Sequence, residues 1–218
     1  MRIRAVLFDW NGTVFDDFEA GVQAANHMFE YYGLPTISKH RFKKTFDVPW
    51  IIFYEKNGVK REWINISKHQ KEYMKAYNSF SRKSKPRKNI RKVFEWLKKN
   101  KILIGIVSAH IQGDIEKSLK RHNLNKYLDV VIGEETKEEA GTTPNKKIKL
   151  ALSRLKVSKN DVLYVGDTTH DMKIGRKEGF LTVGFVNGWQ SKEILTKVKP
   201  DYLIEDMKEI IDIIILNK

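Results

Sequence analysis

Ala5-Val6-Leu7-Phe8 is a short apolar run, as are Val162 to Val165 and, with one glycine, Ile102 to Val107. Runs of this length suit strands buried on both faces of a parallel sheet. Asp129 to Ile132, Leu181 to Val186 and Tyr202 to Ile204 are further strand candidates. Between them the period changes. Ile90, Val93, Phe94 and Leu97 are spaced i, i+3, i+4, i+7, and Ile148, Ala151, Leu152 and Leu155 repeat that spacing. This is the pattern of one buried helix face. From about residue 86 strands and helices alternate, which predicts an α/β fold with a doubly wound parallel sheet.

Residues 17–85 follow another pattern. Ala20, Ala24, Met28 and Tyr31-Tyr32 mark an amphipathic helix that stops near Gly33-Leu34-Pro35. Further helices are expected around 38–45, 49–57, 60–66 and 68–80. Ser81 to Pro86 reads as an extended linker, because proline disfavours a helix at the residue before it. The first strand therefore meets its parallel partner only near Ile102, and a helical block stands between them. The expected division is a core of residues 1–16 and 86–218 with an inserted helical domain at 17–85.

In an open α/β sheet, ligands bind at the carboxyl ends of the strands. Asp9-Trp10-Asn11-Gly12-Thr13 follows the first apolar run, and Ser108-Ala109-His110 follows the second. Gly166-Asp167-Thr168-Thr169-His170-Asp171 follows the run at Val162, and Lys146-Lys147 precedes the helical pattern starting at Ile148. A carboxylate, a hydroxyl, a lysine and two more carboxylates are thus expected at one end of one sheet.

Composition narrows the chemistry. The 218 residues contain no cysteine, which excludes disulfides, thiolate metal sites and cysteine nucleophiles. With 41% hydrophobic and 31% charged residues the chain reads as a soluble globular protein. Neither a signal peptide nor a spanning helix is read from it, so a cytoplasmic setting is expected. Lys plus Arg is 41 and Asp plus Glu 27, a formal charge of +14. Residues 82–101 hold ten basic residues and one acidic residue, hence +9 of that total.

The ordered set resembles the haloacid dehalogenase-like (HAD) superfamily of hydrolases, of the phosphoglycolate phosphatase-like kind with a C1-type helical cap. The resemblance covers nearly the whole chain and implies a Mg²⁺-dependent phosphatase acting on a small phosphorylated metabolite. It implies Asp9 as a nucleophile forming an aspartyl-phosphate. Mg²⁺ would be held by Asp9, Asp167 and the backbone carbonyl of Asn11, with Asp171 supporting; hard oxygen ligands suit that ion. Ser108 and Lys146 would hold the transferring group, Lys147 being the other candidate lysine. The backbone around Trp10, Gly12, Thr13 and Ala109 would line the phosphate site, and Gly12 would permit the turn.

Asn11 departs from the family pattern, which places an acid/base aspartate two residues after the nucleophile. An amide cannot donate or accept a proton as a general acid or base. Turnover could then be slow, the leaving group could be good, or His110, His170, His27 or His40 could supply the proton. The family's phosphonate-cleaving and dehalogenating branches also lack this aspartate. In the insert, Lys43 and Lys44 lie where related caps carry a specificity loop. Trp50, Phe53, Tyr54, Trp63, Tyr73, Tyr77 and Phe80 are expected mainly to pack it. A rival reading is an attenuated member of the fold that binds nucleic acid or another polyanion through residues 82–101. Ile90, Val93, Phe94 and Leu97 commit one face of that segment to a core.

Overall fold

All six strand candidates form, and they form one sheet. The computed structural model describes residues 2–135 and 144–217. The chain opens with β1 (Ala5–Phe8) and the short β2 (Phe15–Asp16). It continues through α1 (Phe18–Tyr31), α2 (Lys39–Thr45), α3 (Trp50–Lys56) and α4 (Ile66–Phe80) to β3 (Lys85–Pro86). The alternating part is α5 (Ile90–Lys99), β4 (Leu103–Ile111), α6 (Gln112–Arg121), β5 (Val130–Glu134), α7 (Pro144–Leu155) and β6 (Val162–Gly166). It ends with α8 (Thr169–Glu178), β7 (Leu181–Phe185), α9 (Lys192–Lys197), β8 (Tyr202–Ile204) and α10 (Glu209–Leu216).

The sheet order is β5-β4-β1-β6-β7-β8, and every pairing in it is parallel. Phe8 lies beside Ile106 on one side and Val165 on the other, so the carboxyl ends of β4, β1 and β6 are neighbours. Alternate residues of β1 serve opposite layers, as strand geometry requires. Val6 and Phe8 pack with Ile90, Phe94 and Ile210 from α5 and α10. Ala5 and Leu7 pack with Ile148, Leu155 and Ile174 from α7 and α8. With helices on both faces, the four β1 residues are completely buried. That is why the strand shows no polar alternation.

The helices α1–α4 lie between β2 and β3. These two strands pair antiparallel, Phe15 with Pro86 and Asp16 with Lys85, so the chain leaves and re-enters the core side by side. The insert has its own apolar cluster, including Met28, Phe29, Phe42, Phe53, Tyr54 and Tyr77. Trp189, from the core loop after β7, packs into that cluster. Gly21 gives it room, since a Cβ there would lie 2.8 Å from the Trp189 ring. Trp50 and Tyr73 also pack against the cluster, whereas Trp63 and Phe80 are exposed.

Three local expectations change. Residues 60–66 hold only a 3₁₀ turn, Arg61–Trp63, before α4 begins. The segment 81–86 holds another such turn, Ser81–Lys83, followed by β3. β4 runs on through Ser108 to Ile111, with an irregular register between Val107 and Ile111. Within 82–101, Ile90, Val93, Phe94 and Leu97 are buried and Lys98 pairs with Asp129 at 2.8 Å. Among the described residues no helix is long and apolar enough to cross a membrane.

Candidate active site

Asp9 closes β1, and its amide bonds the Val165 carbonyl at 2.9 Å, which aligns it with the end of β6. Asp167 follows β6 and is fully buried. Thr13 Oγ1 donates to its Oδ1 at 2.7 Å, and the Trp189 amide donates to its Oδ2 at 2.6 Å. Asp171 sits in the first turn of α8, where its Oδ2 accepts from the Thr168 hydroxyl at 2.6 Å and the Thr168 amide at 3.0 Å. The Thr168 amide contact and the Asp171 amide, which donates to Thr168 Oγ1 at 3.3 Å, form a capping box, so Asp171 also starts its helix. Gly12 adopts φ +73, and a Cβ there would fall 2.3 Å from Asp167 Oδ2. Only glycine lets this turn approach the carboxylate so closely.

The three aspartates place carboxylate oxygens within 4.8 Å of one another. Burial pushes the Asp9 carboxyl well above its ordinary range, and the charges of Asp171 and Asp167 push it further. Asp167 is pushed up to about 7 by burial and then by Asp171. Asp171 is raised by burial, with the Thr168 hydroxyl opposing. Three crowded oxygen donors that resist ionising together are what a hard divalent cation would neutralise, so the residues fit Mg²⁺.

Protons and such a cation compete for these oxygens. A carboxyl with a raised folded-state pKa contributes stability while protonated. That contribution is present below the ordinary carboxylate range and is lost as pH rises through about 7 for Asp167. Mg²⁺ is therefore expected to raise the melting temperature more at about pH 8 than at about pH 5.5. Thermal unfolding with and without the ion, at both pH values, measures this; equal shifts would contradict it.

Ser108 is buried at the end of β4's regular part, and its hydroxyl accepts from the His110 amide at 3.2 Å. The lysine beside it is Lys147. Its ammonium donates to the Ser108 carbonyl at 2.9 Å and pairs with Glu134 at the end of β5. Of the two candidate lysines, Lys146 is exposed and Lys147 is buried. The reason is helical phase. α7 starts at Pro144, so residues 146 and 147 both lie inside it, and only 147 shares the buried face with Ile148 and Ala151.

The remaining candidates divide clearly. Trp10 is buried and stacks on Phe15 at 5.0 Å between ring centres. Ala109 is exposed, and His110 is half-buried with its ring 5.6 Å from that of Tyr77. His170 is half-buried, and its charge favours the Asp171 carboxylate. His27 and His40 are exposed on the insert. Lys44 is exposed, whereas Lys43 is half-buried over the Phe18 ring at 4.7 Å. Burial lowers the Lys43 pKa, Arg87 adds to that, and Asp167 opposes it.

Asn11 binds residues that motif reading did not mark. Its Nδ2 donates to Asp17 Oδ2 at 2.5 Å and to Tyr77 Oη at 2.9 Å. The insert is fastened nearby. Gln190 donates to the Phe46 carbonyl at 2.7 Å and accepts from the Thr169 amide at 2.6 Å. Of the residues missed, Glu134 carried a readable signal, because it closes β5 as Asp9 closes β1. Tyr77 and Trp189 carried none, being distant in sequence and ordinary in type.

Residues 6–185 match the family described as haloacid dehalogenase-like hydrolase. A protein of Caldanaerobacter subterraneus subsp. tengcongensis that bears the name PpaX is 30% identical over 214 residues, 98% of this chain and 96% of that one. Pyrophosphatase PpaX of Bacillus velezensis is 24% identical over 220 residues, 97% of this chain and 96% of its own. Among solved structures, a haloacid dehalogenase-like family hydrolase from Streptococcus pneumoniae has a TM-score of 0.82 at 19% identity. It covers 97% of this chain and 98% of that one, and shows the shared fold.

Proposed function

Because the chain belongs to the haloacid dehalogenase-like hydrolases and is a phosphatase of that family, we propose that it hydrolyses small phosphorylated metabolites through a phosphoryl group carried on Asp9. The observation that carries this reading is the gathering of Asp9, Asp167 and Asp171, beside Ser108 and Lys147, at three adjacent strand ends.

One Asp9 carboxylate oxygen attacks phosphorus and the leaving oxygen departs in line; water then displaces the phosphoryl group and frees the carboxylate. The Ser108 hydroxyl and the Lys147 ammonium hold the equatorial oxygens, together with backbone amides near Trp10 and Asn11 and that of Ala109. Glu134 positions Lys147. Thr13 and the Trp189 amide fix Asp167. Mg²⁺, held by Asp9, Asp167 and the Asn11 carbonyl with Asp171 supporting, would supply charge neutralisation of the phosphoryl oxygens.

The substrate is a phosphomonoester, as the motifs suggest, or pyrophosphate, as the name of the Bacillus velezensis relative suggests. A cytoplasmic setting belongs to the same reading. The test is turnover of p-nitrophenyl phosphate, pyrophosphate and a panel of phosphomonoesters, with Mg²⁺ and with a chelator. Turnover that needs the ion is expected. No hydrolysis of any of them with Mg²⁺ would reject the proposal.

A further inference from the structure

The core loop between β7 and α9 grips a site carboxylate with one side and the insert with the other. Trp189 does both. Its backbone amide donates to Asp167 Oδ2 at 2.6 Å. Its ring lies edge-on to two rings of the insert, Phe46 at 4.9 Å and Phe42 at 5.7 Å between centres. The next two residues repeat the pattern. Gln190 accepts from the Thr169 amide of α8 at 2.6 Å and donates to the Phe46 carbonyl at 2.7 Å. The Ser191 amide donates to the Lys43 carbonyl at 3.1 Å.

Trp189 also reaches the start of the insert, where its Nε1 donates to Asp17 Oδ1 at 2.9 Å. Asp17 is completely buried. It also accepts from the Gly12 amide at 2.8 Å, from Tyr77 Oη at 2.5 Å and from Asn11 Nδ2 at 2.5 Å. One side chain thus joins the nucleophile turn, the core loop after β7 and helix α4 of the insert. The indole is anchored at its nitrogen by Asp17 and packed among rings of the insert. A large side chain fixed in a close-packed cluster fixes its own backbone. The insert therefore sets where the Trp189 amide stands against Asp167.

A cation at the three aspartates needs the Asp167 carboxylate in one orientation, and the groups bonded to a ligand normally supply that. Two groups do so here. Thr13 belongs to the nucleophile turn, whereas the Trp189 amide is placed by the insert. We infer that Trp189 is a positioning residue for Asp167, through which seating of the insert and binding of a divalent cation favour each other. The inference rests on the reading of Asp9, Asp167 and Asp171 as a cation site. The chain enters and leaves the insert through the paired strands β2 and β3. About that pair the insert has two arrangements, seated on the loop or lifted from it. Lifted, it takes Phe42 and Phe46 away from Trp189, and the amide is no longer held against Asp167. Whatever factor seating adds to cation affinity, the cation adds to seating.

The experiment titrates Mg²⁺ alone into the wild type, Phe46→Ala and Trp189→Phe by calorimetry. It also follows hydrogen exchange at the Ser191 amide of the wild type, with and without the ion. Phe46→Ala removes a ring packed on Trp189 and none of the hydrogen bonds to Asp167. It is expected to bind Mg²⁺ at least about fivefold more weakly, the lower end of the usual coupling between linked sites. Trp189→Phe loses the bond to Asp17 and is expected to move the same way. In the wild type, Mg²⁺ is expected to slow exchange at Ser191 at least about fivefold more than at Val59, whose amide bonds the Tyr54 carbonyl inside the insert. Phe29→Leu loosens the same apolar cluster through rings other than Trp189. It is expected to lower the melting temperature and keep wild-type affinity for Mg²⁺. Unchanged affinity in both Phe46→Ala and Trp189→Phe would overturn the inference. So would a wild type that binds the ion with equal effect at Ser191 and Val59, a result that needs no variant to fold. An equal loss of affinity in Phe29→Leu would also defeat it, because loosening alone would then suffice. A wild type that binds no Mg²⁺ would overturn the cation-site reading itself, a failure distinct from binding without coupling.

Discussion

Asp9→Asn is expected to reduce turnover by on the order of 10⁴-fold or more while leaving the fold intact or firmer. The amide is nearly the same shape, so the packing at the end of β1 survives. It lacks the negative oxygen that attacks phosphorus, and losing a covalent nucleophile removes most of the rate. Stability should move the other way. Burial and the charges of Asp171 and Asp167 raise the Asp9 pKa, so the ionised form is disfavoured in the folded protein. The stability lost by ionising Asp9 grows as pH rises above the ordinary carboxylate range, and the neutral amide avoids it. Without Mg²⁺ at about pH 8, the variant should melt at or above the wild-type temperature. Activity and thermal unfolding of one preparation measure both. A variant retaining a tenth of wild-type activity would remove Asp9 from the reaction, whatever its melting temperature.

The strands were legible because β1, β4 and β6 are covered on both faces, so burial itself writes their apolar runs. The residues after those runs were legible for a related reason: a parallel sheet turns its carboxyl ends to one side. The lysine was not. Lys146 and Lys147 are adjacent, and which one enters the site depends on where α7 begins; apolar spacing at Ile148, Ala151 and Leu155 does not fix the first turn. The Asp17 node was hidden for a different reason. Its partners stand at positions 11, 12, 77 and 189, and only the folding of α4 and the loop after β7 onto the nucleophile turn brings them together. Sequence showed that Asn11 lacks a titrating group. The structure adds that its amide nitrogen faces Asp17 and Tyr77.

Lys147→Ala is expected to reduce kcat/KM by about 10²–10³-fold, the usual loss for one donor to a transferring group. Lys146→Ala should stay within about twofold, as an exposed surface change does. The first variant has a structural cost that must be separated from the catalytic one. Lys147 and Glu134 form a buried ion pair, with side chains only 11% and 5% exposed. Removing one partner of such a pair costs about 3–5 kcal/mol, because the other charge stays buried. The double variant Lys147→Met with Glu134→Gln removes both charges and keeps the volume, so its melting temperature should return toward wild type. Its activity should not return, because the cation beside Ser108 is gone. Restored activity in the double variant would make Lys147 a structural residue only. A loss from Lys146→Ala as large as that from Lys147→Ala would contradict the placement of the two lysines on α7.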